Sequence, residues 1–268
     1  MRVGQARVLT DEEWDDVYRL VAANRYPVRN RAILKVLQCL GLRPQEVSLL
    51  RIREVATLTK SGFVLHEFLP LPANFTKGAD AMGRRKDKKR EYTPQTRLSF
   101  SVKEFTQVIK HIEALVRAGD EINPEDFYPE PKKHKGVSRV LPIINEELKE
   151  ALTDHINERL IQTPNLSEGD PLFISQKNVQ FTPNTLQRTV AKILRKWAGL
   201  QQASSYSGRR GVATDILHKQ KKSVRVAQKI LGHKSPSTTY IYDEPPPEEI
   251  NRAIGELGKQ KPTGEKIS

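Results

Sequence analysis

Apolar residues recur along this chain mostly at helical spacing, and in two stretches the pattern becomes short and strand-like. Thr10-Asp11-Glu12-Glu13 has the form of a capping box, and Trp14, Val17 and Val21 follow on one helical face. Ala32, Ile33, Val36, Leu37 and Leu40 mark a second helix, stopped at Gly41. Pro44 suits the first turn of a third, with Val47 and Leu50 turned inward. The strand-like stretches are Phe63 to Leu71 and Ser138 to Ile143. Between them lies a polar segment, 78–95, dominated by Arg84-Arg85-Lys86-Asp87-Lys88-Lys89-Arg90 and predicted to be a loop. A helix opened by Ser101 and Glu104 follows, with Val102, Phe105, Val108, Ile109, Ile112, Leu115 and Val116 in period, then a Pro-rich connector from Pro124 to Pro131.

Downstream the pattern is helical again. Leu148, Leu152, Ile156 and Leu160 define a helix from about Asn145, and Thr182-Pro183 caps another with Leu186, Val190, Ile193, Leu194 and Trp197 on its face. Three short helices are expected over 208–242, and Pro245-Pro246-Pro247 sets off a small terminal helix near 248–257 and a polar tail. The expected class is α+β, mostly α with a small antiparallel β-sheet. One main domain is expected over 1–243, interrupted by an insertion at about 78–131, with 244–268 as linker, short helix and tail.

Charge changes the picture more than composition does. The 268 residues carry 45 Lys+Arg against 32 Asp+Glu, a formal charge of +13. That excess favours a polyanionic partner. Cys39 is the single cysteine, which excludes an internal disulfide and a thiolate zinc site. The N-terminal residues lack the apolar run of a signal peptide, and no stretch approaches the ~18 apolar residues of a membrane span. The chain reads as soluble, intracellular and cytoplasmic, without a membrane partner.

Four places concentrate unusual residues. Arg43 stands at a helix start in GLRPQEVSLLR, with Glu46 three residues on. Arg209 and Arg210 are adjacent in SSYSGRRGVAT, with no acidic residue before Asp215. His233 lies at a tight helix–helix corner in LGHKSPSTTYIY, with Tyr240 and Tyr242 just beyond. Lysines stand at the two strand turns: Lys77 in NFTKG, and Lys133 and Lys135 in KKHKGVSRVLP. Each alone suits a plain structural role. Their order does not.

GLRxxE, a hairpin lysine before RVLPI, then GRRGVAT, then LGHKSPSTT and a tyrosine resembles the catalytic domain of the tyrosine recombinase (phage integrase) family. The resemblance covers roughly Leu9 to Asp243. Its most specific parts are GRRGVATDIL and LGHKSPSTTYIY, and the family's spacing of nine from histidine to nucleophile selects Tyr242 over Tyr240. It implies the DNA breaking-rejoining enzyme fold and metal-independent strand transfer with no cofactor. Tyr242 would form a 3′-phosphotyrosyl enzyme, and Arg43 and Arg209 would clamp the phosphate. Lys135 or Lys77 would protonate the leaving 5′ oxygen, the downstream strand favouring Lys135 and the upstream strand Lys77. His233 would donate to the phosphate, Glu46 would orient a catalytic group, and Arg210 would support the site. Arg84, Arg85, Lys86, Lys88, Lys89 and Arg90 would add to the grip on double-stranded DNA. The implied assembly is a homotetramer on DNA, with room for an accessory DNA-bending protein.

The chain departs from the family pattern in four ways, the slightest being Arg210, which stands where histidine is common and is a frequent alternative. Tyr206 stands where the family usually has histidine. The spacing between Arg43 and the hairpin is lengthened by several dozen residues. The catalytic pattern begins near Leu9, so the family's N-terminal core-binding domain is expected to be absent. Tyr206 and the missing domain favour a second reading, a non-catalytic DNA-binding relative that regulates recombination. A third, an RNA- or ribosome-binding protein, is disfavoured because aromatics are only 6% and scattered.

Overall fold

A computed structural model describes residues 6–75, 102–127, 138–243 and 247–257. The chain forms two compact units, one from Met1–Leu71 with Arg139–Ser268 and the other Pro72–Ser138. The insertion expected at about 78–131 falls within the second.

The first unit is organised on one buried helix. Helix α1 (Asp11–Ala22) opens with the expected capping box: Thr10 Oγ1 accepts the Glu13 N–H at 3.3 Å, and Glu13 accepts the Thr10 N–H at 3.0 Å. It buries Trp14, Val17 and Val21. Helix α2 (Pro27–Leu40) is buried on most of its circumference through Ala32, Ile33, Leu34, Val36, Leu37 and Leu40. Each buried Val, Leu or Ile among them contributes on the order of 1.5–3 kcal/mol by leaving water. Short helices α3 (Pro44–Leu49) and α4 (Ile52–Val55) lead into strands β1 (Ala56–Thr59), β2 (Gly62–Leu65) and β3 (Phe68–Leu71).

In the second unit, helix α5 (Val102–Ala118) precedes a short 3₁₀ turn, Pro124–Phe127, and His111 meets Phe127 edge-on at 5.7 Å. Its predicted opening residue, Ser101, lies outside the described residues. The chain re-enters the first unit as strand β4 (Arg139–Pro142) and helix α6 (Glu146–Gln162).

Helix α7 (Pro183–Ala191) widens into a π-helical turn, Lys192–Trp197, and α8 (Ser207–Thr214) does the same over Asp215–Lys219. Helices α9 (Val224–Leu231), α10 (Pro236–Tyr240) and α11 (Pro247–Glu256) complete the order. Helix α2 packs against α6, α8 and α1. Its approach to α8 is possible because residue 208 is glycine: a Cβ there would lie 2.6 Å from Leu37 O.

The strands depart from the expected single sheet. They form two separate antiparallel pairs, β1–β2 with Ala56 opposite Leu65, and β3–β4 with Phe68 opposite Pro142 and Leu71 opposite Arg139. The stretch Phe63–Leu71 is thus two strands, and β1 was not anticipated, because four residues are too few to display a period. Pro70 and Pro142 are tolerated because a two-stranded sheet consists only of edges. Among the described residues no helix is long and apolar enough to cross a membrane.

Candidate active site

The C-terminal end of α2, the start of α3, the start of β4, α8 and the α9–α10 corner meet around three arginines, one carboxylate, one imidazole and one phenol. All of them belong to the first unit.

Arg209 is 1% exposed and is the largest fully buried side chain among the described residues. It is buried because Gly208 lets its helix press onto α2. Its Nη1 donates to Gly41 O at 2.7 Å, and its Nη2 donates to Leu231 O at 2.6 Å and to His233 Nε2 at 2.8 Å. Burial and then the nearby Arg43 charge lower its pKa to about 10, which still leaves it cationic at neutral pH.

A guanidinium only donates, so His233 Nε2 must be an acceptor and the ring proton sits on Nδ1. Nδ1–H donates to Thr239 Oγ1 at 2.8 Å. Burial, followed by the charges of Arg209, Arg43 and Arg139, drives the His233 pKa down to about 3, so the ring is neutral. In this tautomer both ring nitrogens are engaged, Nε2 by Arg209 and Nδ1–H by Thr239, so His233 holds Arg209 in place. The Tyr242 ring stacks on it at 5.9 Å with planes 9° apart, and also packs beside Ile216, Leu217 and Ala227. Tyr240 is 60% exposed.

Glu46 is fully buried and saturated with donors. It accepts the Arg43 backbone N–H at 2.7 Å, Arg43 Nη1 at 2.9 Å, and both arms of Arg139 at 2.9 and 2.8 Å. Burial raises its pKa, but the Arg139 and Arg43 contacts outweigh burial, and the net shift is downward. Arg139 was missed from sequence. The available signal was a lone charge opening the apolar strand RVLP, four residues after Lys135.

One expected residue points elsewhere. Arg210 Nη1 donates to Ala6 O at 3.2 Å, on the N-terminal segment, because neighbours on a helix project about 100° apart. Tyr206 is 39% exposed at the start of α8, its backbone N–H held by Ser204 Oγ. Lys77, Lys135 and Arg84, Arg85, Lys86, Lys88, Lys89 and Arg90 lie outside the described residues. Among the described residues no three His, Cys, Asp or Glu side chains are gathered as a metal site.

A helical fold that closes arginines, a histidine and a tyrosine around one point defines a class of DNA-strand recombinases and integrases. The chain belongs to the phage integrase family, whose sequence profile matches residues 7–249. Among solved structures it is similar to the XerA recombinase, at 19% identity and a TM-score of 0.57, covering 97% of this chain and 68% of that one. The Tn1549 transposon integrase, in complex with transposon right end DNA, is similar at 16% identity and TM-score 0.54, covering 94% and 66%. The XerH recombinase in a post-cleavage complex with a palindromic difH substrate gives 17% and 0.52, covering 94% and 53%. At these identities the likeness concerns the fold, and the chain spans between about half and two thirds of those proteins. No curated protein sequence matches it.

Proposed function

We propose that the protein is a site-specific DNA recombinase or integrase that cleaves and rejoins double-stranded DNA through a 3′-phosphotyrosyl intermediate. The observation that carries this reading is the stacking of Tyr242 on His233, which is itself bonded to Arg209. A nucleophile is thereby seated at the edge of a buried positive cluster. Arg43 and Arg209 bind the non-bridging phosphate oxygens, since planar donors suit the charge that develops there. The Tyr242 oxygen bonds to phosphorus as its proton passes to solvent, and the P–O5′ bond breaks. The 5′ oxygen takes a proton from Lys135 or Lys77, and religation reverses these steps. Lys135 is four residues from Arg139 and Lys77 six from Leu71, and Leu71 and Arg139 are paired across the hairpin. Tyr206, in the place of the family's usual histidine, donates from its phenol to the phosphate. The basic run Arg84–Arg90 adds to DNA affinity, and Arg210 supports the fold around Arg209.

The assembly is a homotetramer on DNA, and the exposed Ile250, Ile254 and Leu257 on and just after α11 supply an apolar face for a neighbour. The test uses nicked suicide duplexes carrying candidate sites. Tyr242→Phe should lose the covalent adduct while Tyr240→Phe keeps it, and peptide mapping should locate the DNA on Tyr242. An adduct persisting in Tyr242→Phe defeats the reading. A sharp, site-selective footprint with no adduct from the unmodified chain assigns the protein instead to non-catalytic regulation.

A further inference from the structure

We propose that Arg139 is a positioning residue of this site. It grips Glu46 by both oxygens, so that Glu46 orients Arg43 without cancelling its charge, and it reaches Glu46 through space that exists because residue 232 is glycine. The proposal rests on the reading of Arg43 and Arg209 as phosphate ligands.

The geometry is fork against fork. Arg139 Nη1 meets Glu46 Oε1 at 2.9 Å, Nη2 meets Oε2 at 2.8 Å, and both side chains are at most 5% exposed. Arg43 therefore receives only one side-chain bond from Glu46, through Nη1. Without Arg139 the carboxylate could turn to a two-pronged grip on Arg43, three residues away, and the pair would be neutral. With it, the three guanidiniums of Arg43, Arg139 and Arg209 face one carboxylate, a surplus of two positive charges. A phosphodiester attacked by an ionised phenol passes through a pentacoordinate state bearing two negative charges, which that surplus complements.

Gly232 ends α9 at φ 64°, and a Cβ there would lie 2.5 Å from Arg139 Nη1 and 3.0 Å from its Cδ and Cζ. Because both arms of the fork are fixed on Glu46, the guanidinium cannot turn aside. Any side chain at 232 would displace it. The neighbouring carbonyl, Leu231 O, holds Arg209. One corner thus serves two arginines.

The test compares the full chain with Arg139→Gln, Arg139→Lys, Gly232→Ala, Arg139→Gln/Gly232→Ala and Arg139→Gln/Glu46→Gln. Inorganic phosphate binding is followed by NMR at the His233 ring, and adduct formation on nicked suicide duplexes is followed in parallel. Arg139→Gln should bind phosphate roughly tenfold more weakly and form adduct about a hundredfold more slowly. Arg139→Lys, which keeps the charge but not the fork, should recover less than half of the lost rate. Gly232→Ala should resemble Arg139→Gln, yet cost much less phosphate affinity when Arg139 is already Gln. Backbone strain at 232 is the same in both backgrounds, so this non-additivity reports the contact alone. Arg139→Gln/Glu46→Gln leaves no unpaired buried carboxylate; it should fold and regain part of the phosphate affinity. Phosphate affinity within about twofold of wild type in folded Arg139→Gln, or strict additivity of 139 with 232, overturns the proposal. If wild type binds phosphate but forms no adduct, the strand-transfer reading fails, and the phosphate series still decides the role of Arg139.

Discussion

Two places in the first unit bury arginines beside a neutral, stacked histidine. In one, Arg29, Arg159 and His155 surround the segment Pro171–Ser175. Arg29 donates to Ile174 O at 3.1 Å, His155 donates to Leu172 O at 2.9 Å, and its ring lies on Phe173 at 5.0 Å. In the other, Arg209 donates to Gly41 O and Leu231 O, and His233 lies on Tyr242. In both, guanidiniums satisfy backbone carbonyls that burial would otherwise strand. The difference lies in what surrounds that scaffold. The first has a neutral acceptor, Asn30, and an inert ring. The second has a buried carboxylate holding two further arginines, and a ring that carries a nucleophilic oxygen. A buried arginine–histidine pair is therefore a way to build a corner; converging charge and a reactive group make one corner a site.

The largest effect that would test this contrast is on stability. Glu46→Ala should destabilise the chain by about 3–5 kcal/mol, because Arg139 and Arg43 are left as unpaired charges in a dry corner. Asn30→Ala, which removes a neutral acceptor from Arg29, should cost about 1–3 kcal/mol. Urea unfolding of the two variants would read the difference, and equal losses would erase the distinction. Next in size, Arg209→Lys should slow adduct formation by roughly 10²–10³-fold, whereas Arg29→Lys should leave it within about threefold. Single-turnover cleavage on a nicked duplex compares them.

Acid provides a smaller, shared effect. Burial first of all lowers His155 to about 4 and His233 to about 3. The unfolded chain protonates these rings near pH 6.5. The stability they contribute is therefore complete above that pH and is lost as pH falls toward the folded values. At pH 5 each should have given up about 2 kcal/mol. Unfolding midpoints at pH 7.5 and 5 test this, and His155→Phe should remove about half of these histidines' part of the drop. The smallest expected change is that of His155→Phe at neutral pH, about 1 kcal/mol for the lost bond to Leu172 O, with adduct formation unaltered.

The sequence by itself determined the helices, since α1, α2, α5, α6 and α7 have apolar faces long enough to show a 3.6-residue period. It also determined the family, because GRRGVAT and LGHKSPSTTYIY are contiguous. The short pairs β1–β2 and β3–β4 were only partly legible, because four-residue strands carry almost no period. Only the tertiary structure decided how hydrogen bonds are distributed. It turned Arg210 to Ala6 and Arg209 inward, set the proton of His233 on Nδ1, and recruited Arg139 to Glu46. Periodicity constrains which face of an element is buried. It does not say which donor meets which acceptor, and here the partners of Arg209 and Glu46 arrive from elements far apart in the chain, brought within 3 Å only when α2, β4, α8 and α9 pack.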